Sequence, residues 1–157
     1  MAPAVILSLG SLVLFSLADL RYRAAPGVAA FFLAAVLLGA PADPLRATLV
    51  VLAVCWGIWS WWPFLLVLPL LLYPFTWAVL LTGGGVRRGI VGRADLLALG
   101  GLACLFDWPA PALALIGVEM WRWWWRKQRM EPVPALPGML LGLCVYLMWG
   151  IVNSCWQ

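Results

Sequence analysis

Polar residues are so sparse along this chain that they separate apolar blocks and impose no period of their own. The blocks run over 3–20, 26–41, 46–82, 93–107, 109–125 and 136–155. A helix needs about 20 residues, within a range of about 17–25, to cross some 30 Å of hydrocarbon. The first and last blocks meet that length. The block at 26–41 is short, which favours little tilt and a locally thinned bilayer. No alternation of period two marks a strand, and no heptad or internal repeat stands out. The pattern predicts an all-α fold, a polytopic transmembrane helix bundle of about six spans, forming a single domain over 1–157.

The 46–82 block is long enough for two spans, with Trp61-Trp62-Pro63 as a break. Charge argues for one net crossing. If the first block ends in the cytoplasm, Arg21 and Arg23 are inside. A single crossing by 46–82 then returns Arg87, Arg88 and Arg93 to the same side. Arg122, Arg126, Lys127 and Arg129 follow, leaving only Arg46 of the ten basic residues outside. This is the asymmetry that sets membrane topology. Part of 46–82 is then expected to lie along the interface or fold back, with Trp56, Trp59, Trp61 and Trp62 at that level. Trp121, Trp123, Trp124 and Trp125 run straight into basic residues and read as an interfacial belt.

Composition supports a lipid environment. Hydrophobic residues make up 66% of the chain and charged residues 10%, where a soluble domain carries about 25% charged. The net charge of +4 comes from block ends and indicates no nucleic-acid partner; the expected surroundings are the bilayer. Cys55, Cys104, Cys144 and Cys155 lack paired spacing and read as small buried hydrophobes. Ser16-Leu17-Ala18 resembles a signal cleavage site. However, no Lys or Arg precedes the first block, so that block is expected to be a retained helix.

The polar inventory narrows the chemistry. Histidine is absent, which removes Ser-His and Cys-His pairs and His-based zinc sites. Lys127 lies in a basic Trp-rich segment, a poor place for a Ser-Lys pair. Gly83-Gly84-Gly85 lacks the Lys-Ser/Thr of a phosphate loop. No metal or cofactor is expected. Of the six acids, Asp43 and Asp107 sit beside prolines as turn or cap residues, Glu131 falls in a loop, and Glu119 is placed to pair with Arg122 at i,i+3. Asp19 and Asp95 remain, each at the cytoplasmic end of an apolar block. The helix from Arg93 to Asp107 spans only about 21 Å, which sets Asp95 below the surface, where ionisable groups are costly and often functional. On the residues alone two readings stand. In one, both are interfacial acids, Asp19 pairing with Arg23 and Asp95 capping a helix; in the other, they form a site.

Three segments together resemble the type IV prepilin peptidases, or leader peptidases, including the archaeal preflagellin peptidases. Asp19-Leu20-Arg21-Tyr22-Arg23-Ala24-Ala25-Pro26-Gly27 is similar to that family's Asp-x-Arg-x-Arg-x-Ile-Pro-Asn signature at Asp, both Arg and Pro. Gly92-Arg93-Ala94-Asp95, with the Leu-rich stretch after it, resembles the Gly-x-Gly-Asp segment. Val133-Pro134-Ala135-Leu136-Pro137-Gly138 resembles the late Pro-rich entry to the last helix. The resemblance departs at Ala94, where the family has glycine, and at Ala25 and Gly27. The step from Asp19 to Asp95 is also long. Presenilin-like proteases share Gly-x-Gly-Asp, but this chain is far shorter than they are.

The resemblance implies an intramembrane aspartic (GxGD-type) endopeptidase of the prokaryotic cell membrane, with Asp19 and Asp95 catalytic and the site facing the cytoplasm. It implies that Arg21, Arg23, Pro26, Gly92, Arg93, Ala94, Pro134 and Pro137 shape the site or touch substrate. The implied substrate is the basic leader of a pilin-like precursor, cut just before an apolar helix. The Cys-paired cytoplasmic region of family members that also N-methylate their products has no counterpart here, so peptidase activity alone is expected. A small proton-coupled transporter and a non-catalytic scaffold are the alternatives from other classes.

Overall fold

The computed structural model describes residues 3–39, 42–59, 75–128 and 133–155. Seven helices fill them: α1 (Pro3–Tyr22), α2 (Val28–Gly39), α3 (Pro44–Trp59), α4 (Phe75–Arg87), α5 (Arg93–Leu105), α6 (Pro109–Gln128) and α7 (Leu136–Cys155). No strand occurs among the described residues. The all-helical architecture is therefore as the apolar blocks predict. The helix total exceeds six because 46–82 yields two separate helices, α3 and α4. Trp61-Trp62-Pro63, Arg129 and Glu131 lie outside the described residues.

Among the described residues, only α1 and α7 combine length and apolarity sufficient to cross a bilayer, over Val5–Tyr22 and Leu136–Asn153. The reasons differ among the others. Apolar helices α2 and α3 are 12 and 16 residues long, α4 and α5 are 13 each, and α6 carries Glu119, Arg122, Arg126 and Lys127 within its 20 residues.

Helix α1 has the polarity of a soluble helix turned inside out. Leu7 and Leu14 are 65% and 67% exposed, and Ile6, Val13 and Leu17 share their face, while Ser8, Leu12 and Ser16 are buried. Helix α7 repeats the arrangement, with Val145, Met148, Trp149 and Val152 outward and Met139 and Leu143 inward. An outer surface this apolar would be costly in water, since each square ångström of apolar area exposed costs about 25 cal/mol.

Small residues set the spacing between helices. A Cβ on Gly142 would meet the Leu113 carbonyl oxygen, and one on Gly117 would meet that of Gly138. Gly138 and Gly142 are four residues apart, on one face of α7, and let its backbone lie directly on α6. Membrane helices associate through such small-xxx-small contacts because apolar burial offers little drive there.

At the centre is α5, which touches each of the other six helices. Leu96 and the run Ala98–Cys104 are buried, and Gly100 and Gly101 admit Phe32 and Phe31 of α2. Because α5 is central, its two ends define the two ends of the bundle. At the far end, the Arg46 guanidinium donates to the Cys104 carbonyl at 3.0 Å and pairs with Asp107 at 3.5 Å. Asp43 accepts the Arg46 N–H at 3.1 Å, capping α3. Helices α3 and α4 both finish at the near end, where Gly57 packs on Gly83. Arg87 there lies 5.0 Å from the centroid of the Trp56 ring, and Trp59 is exposed.

Of the cysteines, Cys104 is buried, Cys55 half-buried and Cys144 exposed, each a free thiol. The expectation of burial thus fails at Cys144, which sits on the outward apolar face of α7.

Candidate active site

Asp19 occupies the last turn of α1. That helix ends at Arg23, whose φ of 54° is left-handed and whose N–H donates to the Asp19 carbonyl at 3.0 Å. A left-handed residue just past the last turn is a common helix stop, though glycine usually supplies it. The chain then turns through Ala24–Gly27 into α2. At Gly27 a Cβ would approach the Phe15 ring to 2.7 Å. The Asn of the prepilin-peptidase signature could not be seated there without moving that ring.

Asp95 lies in the first turn of α5, partly buried. Its carboxylate folds back to accept the Gly92 N–H at 3.1 Å, as the third residue of a helix often does for its cap. A Cβ on Gly92 would stand 3.0 Å from Asp95 Oδ2, so a side chain there would press on the carboxylate. Ala94 is inside α5 with ordinary right-handed backbone; Arg23 is the one non-glycine residue at positive φ among those described. Alanine therefore fits position 94 without strain.

The third segment meets the first. Leu136 opens α7, and its N–H donates to Asp19 Oδ2 at 3.3 Å across 117 positions of sequence. The Arg23 charge acts on this carboxylate as well. Asp95 is close enough to Asp19 for the two carboxyl charges to interact. Both acids thus sit at helix N-termini, α7 for Asp19 and α5 for Asp95, where exposed N–H groups favour negative charge.

Both acids line one cavity of about 1330 Å³ at the near end of the bundle. It is larger than the roughly 300–1,000 Å³ of small-molecule pockets. Of the residues singled out from sequence, Asp19, Arg23, Gly92, Ala94, Asp95 and Pro134 line it. The others do not. Arg21 turns outward, its guanidinium 5.3 Å from the Tyr22 ring centroid. Pro26 and Arg93 are exposed away from the cavity, and Pro137 is buried in the opening turn of α7.

Sequence reasoning assigned Glu119 to an ion pair, and the pair with Arg122 forms at 3.0 Å. What it missed is that this pair faces the cavity, together with Leu115, Val118 and Arg126. Positions 115, 118, 119, 122 and 126 form one helical face, so the spacing carried the signal. Arg23 reaches the same wall, 5.1 Å from the centroid of the buried Trp125 ring. Thr82 and the Gly89–Val91 turn complete the opposite side. No group of three or more His, Cys, Asp or Glu able to hold a metal ion occurs among the described residues.

No protein-family model, no curated protein and no solved structure matches this chain.

Proposed function

We propose that this protein is an intramembrane aspartic endopeptidase that removes the basic leader of pilin-like precursors at the cytoplasmic face of a prokaryotic cell membrane. The observation that carries the reading is convergence. Three segments far apart in sequence, each similar to a prepilin-peptidase motif, meet around one cavity that both Asp19 and Asp95 line.

In this reading the bundle crosses the membrane about six times and its cavity opens to the cytoplasm. Support comes from the position of charge. Arg21, Arg23, Arg87, Arg88, Arg93, Arg122, Arg126 and Lys127 are all at or near helix termini of the cavity end, and Arg46 is at the other. Basic residues concentrate on the cytoplasmic side. The outward apolar faces of α1 and α7 suit lipid.

The chemistry follows from two carboxyls in one site. Like charges so placed do not both ionise cheaply, and the pair holds one proton between them. The ionised member takes a proton from a water, which attacks the peptide carbon. The protonated member hydrogen-bonds the carbonyl oxygen as it becomes negative. The intermediate then collapses and the C–N bond breaks. The carboxyl that took the water's proton passes it to the leaving nitrogen, so that the products are a new carboxyl and a new amine. The proton belongs to the pair, and neither Asp is assigned as the base. Backbone N–H groups from Gly92 and Leu136 hold the carboxylates in position.

The test is cleavage of a co-expressed pilin-like precursor by wild type, Asp19→Asn and Asp95→Asn. A peptidase cuts as wild type and fails in both variants while all three fold alike. A transporter or a scaffold cuts in none of the three.

A further inference from the structure

Thr48 and Thr82 each donate to the carbonyl four residues back, at 2.8 and 2.9 Å, the usual recourse of a hydroxyl inside a helix. Ser16 of α1 does not. It is 4% exposed, yet its Oγ has no hydrogen-bond partner among the described residues. A buried hydroxyl left unmet is costly, and alanine would fill the position without that cost.

What sets Ser16 apart is its place. It lies three residues before Asp19, one turn deeper in α1, while Leu14 and Leu17 point outward. Residues at this spacing share a helix face, with Cβ atoms about 5–6 Å apart. Side chains lean toward the helix N-terminus, so the Asp19 carboxyl inclines over the turn that holds Ser16. The neighbouring position on that turn belongs to Phe15, whose ring meets Phe31 edge-on with centroids 6.0 Å apart. Ser16 is thus the polar group on the inner side of Asp19, as the Leu136 N–H is the donor from α7.

We propose that Ser16 is a positioning residue of the site: its hydroxyl donates to one enclosed water, and that water donates to the Asp19 carboxyl. The inference rests on the peptidase reading. Two O–H···O bonds of about 2.7–2.8 Å each bridge a gap of this order, and two polar partners are the fewest that hold a buried water. A carboxylate has about four acceptor sites. Leu136 and the water take two, which fixes the carboxyl before substrate arrives and leaves two for the reaction. Ser16 itself touches neither the peptide nor the attacking water.

The test compares purified full-length wild type, Ser16→Ala and Ser16→Thr on a pilin-like precursor, with rates taken per folded protein and thermal unfolding followed in detergent. Ser16→Ala is expected to melt at or above wild type and to leave KM unchanged. Its kcat should fall about 10- to 100-fold, the worth of one hydrogen bond to a charged group. Ser16→Thr keeps the hydroxyl and should restore most of the rate. A role in packing alone predicts wild-type kcat for Ser16→Ala, and that result overturns the proposal, as does a Ser16→Thr variant no faster than Ser16→Ala. Either outcome, with wild type cleaving, leaves the peptidase reading intact. Absence of cleavage by wild type overturns both.

Discussion

The carboxylate of Asp19, at the end of the first helix, receives the N–H of Leu136, at the start of the last, over 3.3 Å. This one bond ties the two termini of the bundle together at the candidate site and sets Asp19 against the segment that closes the cavity. An amide oxygen can accept the same N–H, so Asp19→Asn retains the tie whereas Asp19→Ala breaks it. Losing such a cap costs about 1 kcal/mol. Thermal unfolding in detergent should show Asp19→Ala less stable than Asp19→Asn, with Asp19→Asn near wild type.

The α6–α7 crossing should be the least tolerant packing contact. Any side chain on Gly142 meets the Leu113 carbonyl, and Gly142→Leu is expected to cost about 1–3 kcal/mol or more as the helices separate. Gly150, on the same helix with open space around it, is the contrast. Gly150→Ala should be neutral or stabilising by about 0.5–1 kcal/mol. Unfolding titrations of the two variants compare these directly.

Ala94 invites restoration of the family glycine. Because the residue is helical, Ala94→Gly should leave precursor cleavage near wild type and lower stability by about 0.5–1 kcal/mol. A large gain of activity on this substitution would mean that position 94 needs a backbone conformation other than the helical one.

At the far end, two contacts of the Arg46 guanidinium are of unequal worth. Asp107 is 83% exposed and 3.5 Å away, so the ion pair contributes no more than about 1 kcal/mol. The bond to the Cys104 carbonyl, at 3.0 Å and partly buried, is charge-assisted and contributes about 1.5–3 kcal/mol. Arg46→Ala should therefore destabilise clearly more than Asp107→Asn.

The orientation is open to labelling. In a background without native cysteines, Asp43→Cys and Gln128→Cys sit at opposite ends of the bundle. A membrane-impermeant maleimide added to intact spheroplasts should label position 43 and spare 128, and should label 128 only after lysis. The reverse pattern would turn the cavity outward.

How much of this was legible in the sequence depended on the range of the interaction. Helix α7 began at Leu136 as the apolar pattern indicated, because Pro134 and Pro137 mark the entry locally. The separation of α3 from α4 was legible only as a candidate break at Trp61-Trp62-Pro63, because 46–82 carries no charge after Arg46 and the charge count favoured one crossing. Asp19 and Asp95 could be nominated from residue type and position, but their meeting depends on contacts across the whole chain. Arg46 was read only as the one basic residue on the outer side. Its bond to a backbone carbonyl at Cys104 has no signature in side-chain chemistry. Arg21 and Arg93 were grouped with the site by motif, yet helical rotation turns Arg21 outward and leaves Arg93 exposed. The cavity face of α6 was present in the spacing of Glu119, Arg122 and Arg126, and was masked by the local ion pair those residues also support.

The most direct test of the paired carboxyls is the rate of precursor cleavage by purified wild type, Asp19→Asn, Asp95→Asn and the double variant. Groups acting as a unit are strongly non-additive. The account predicts that each single variant falls below about a thousandth of wild type, and that the double variant is no slower than either. Substantial cleavage by either single variant, or losses that multiply in the double, would contradict it.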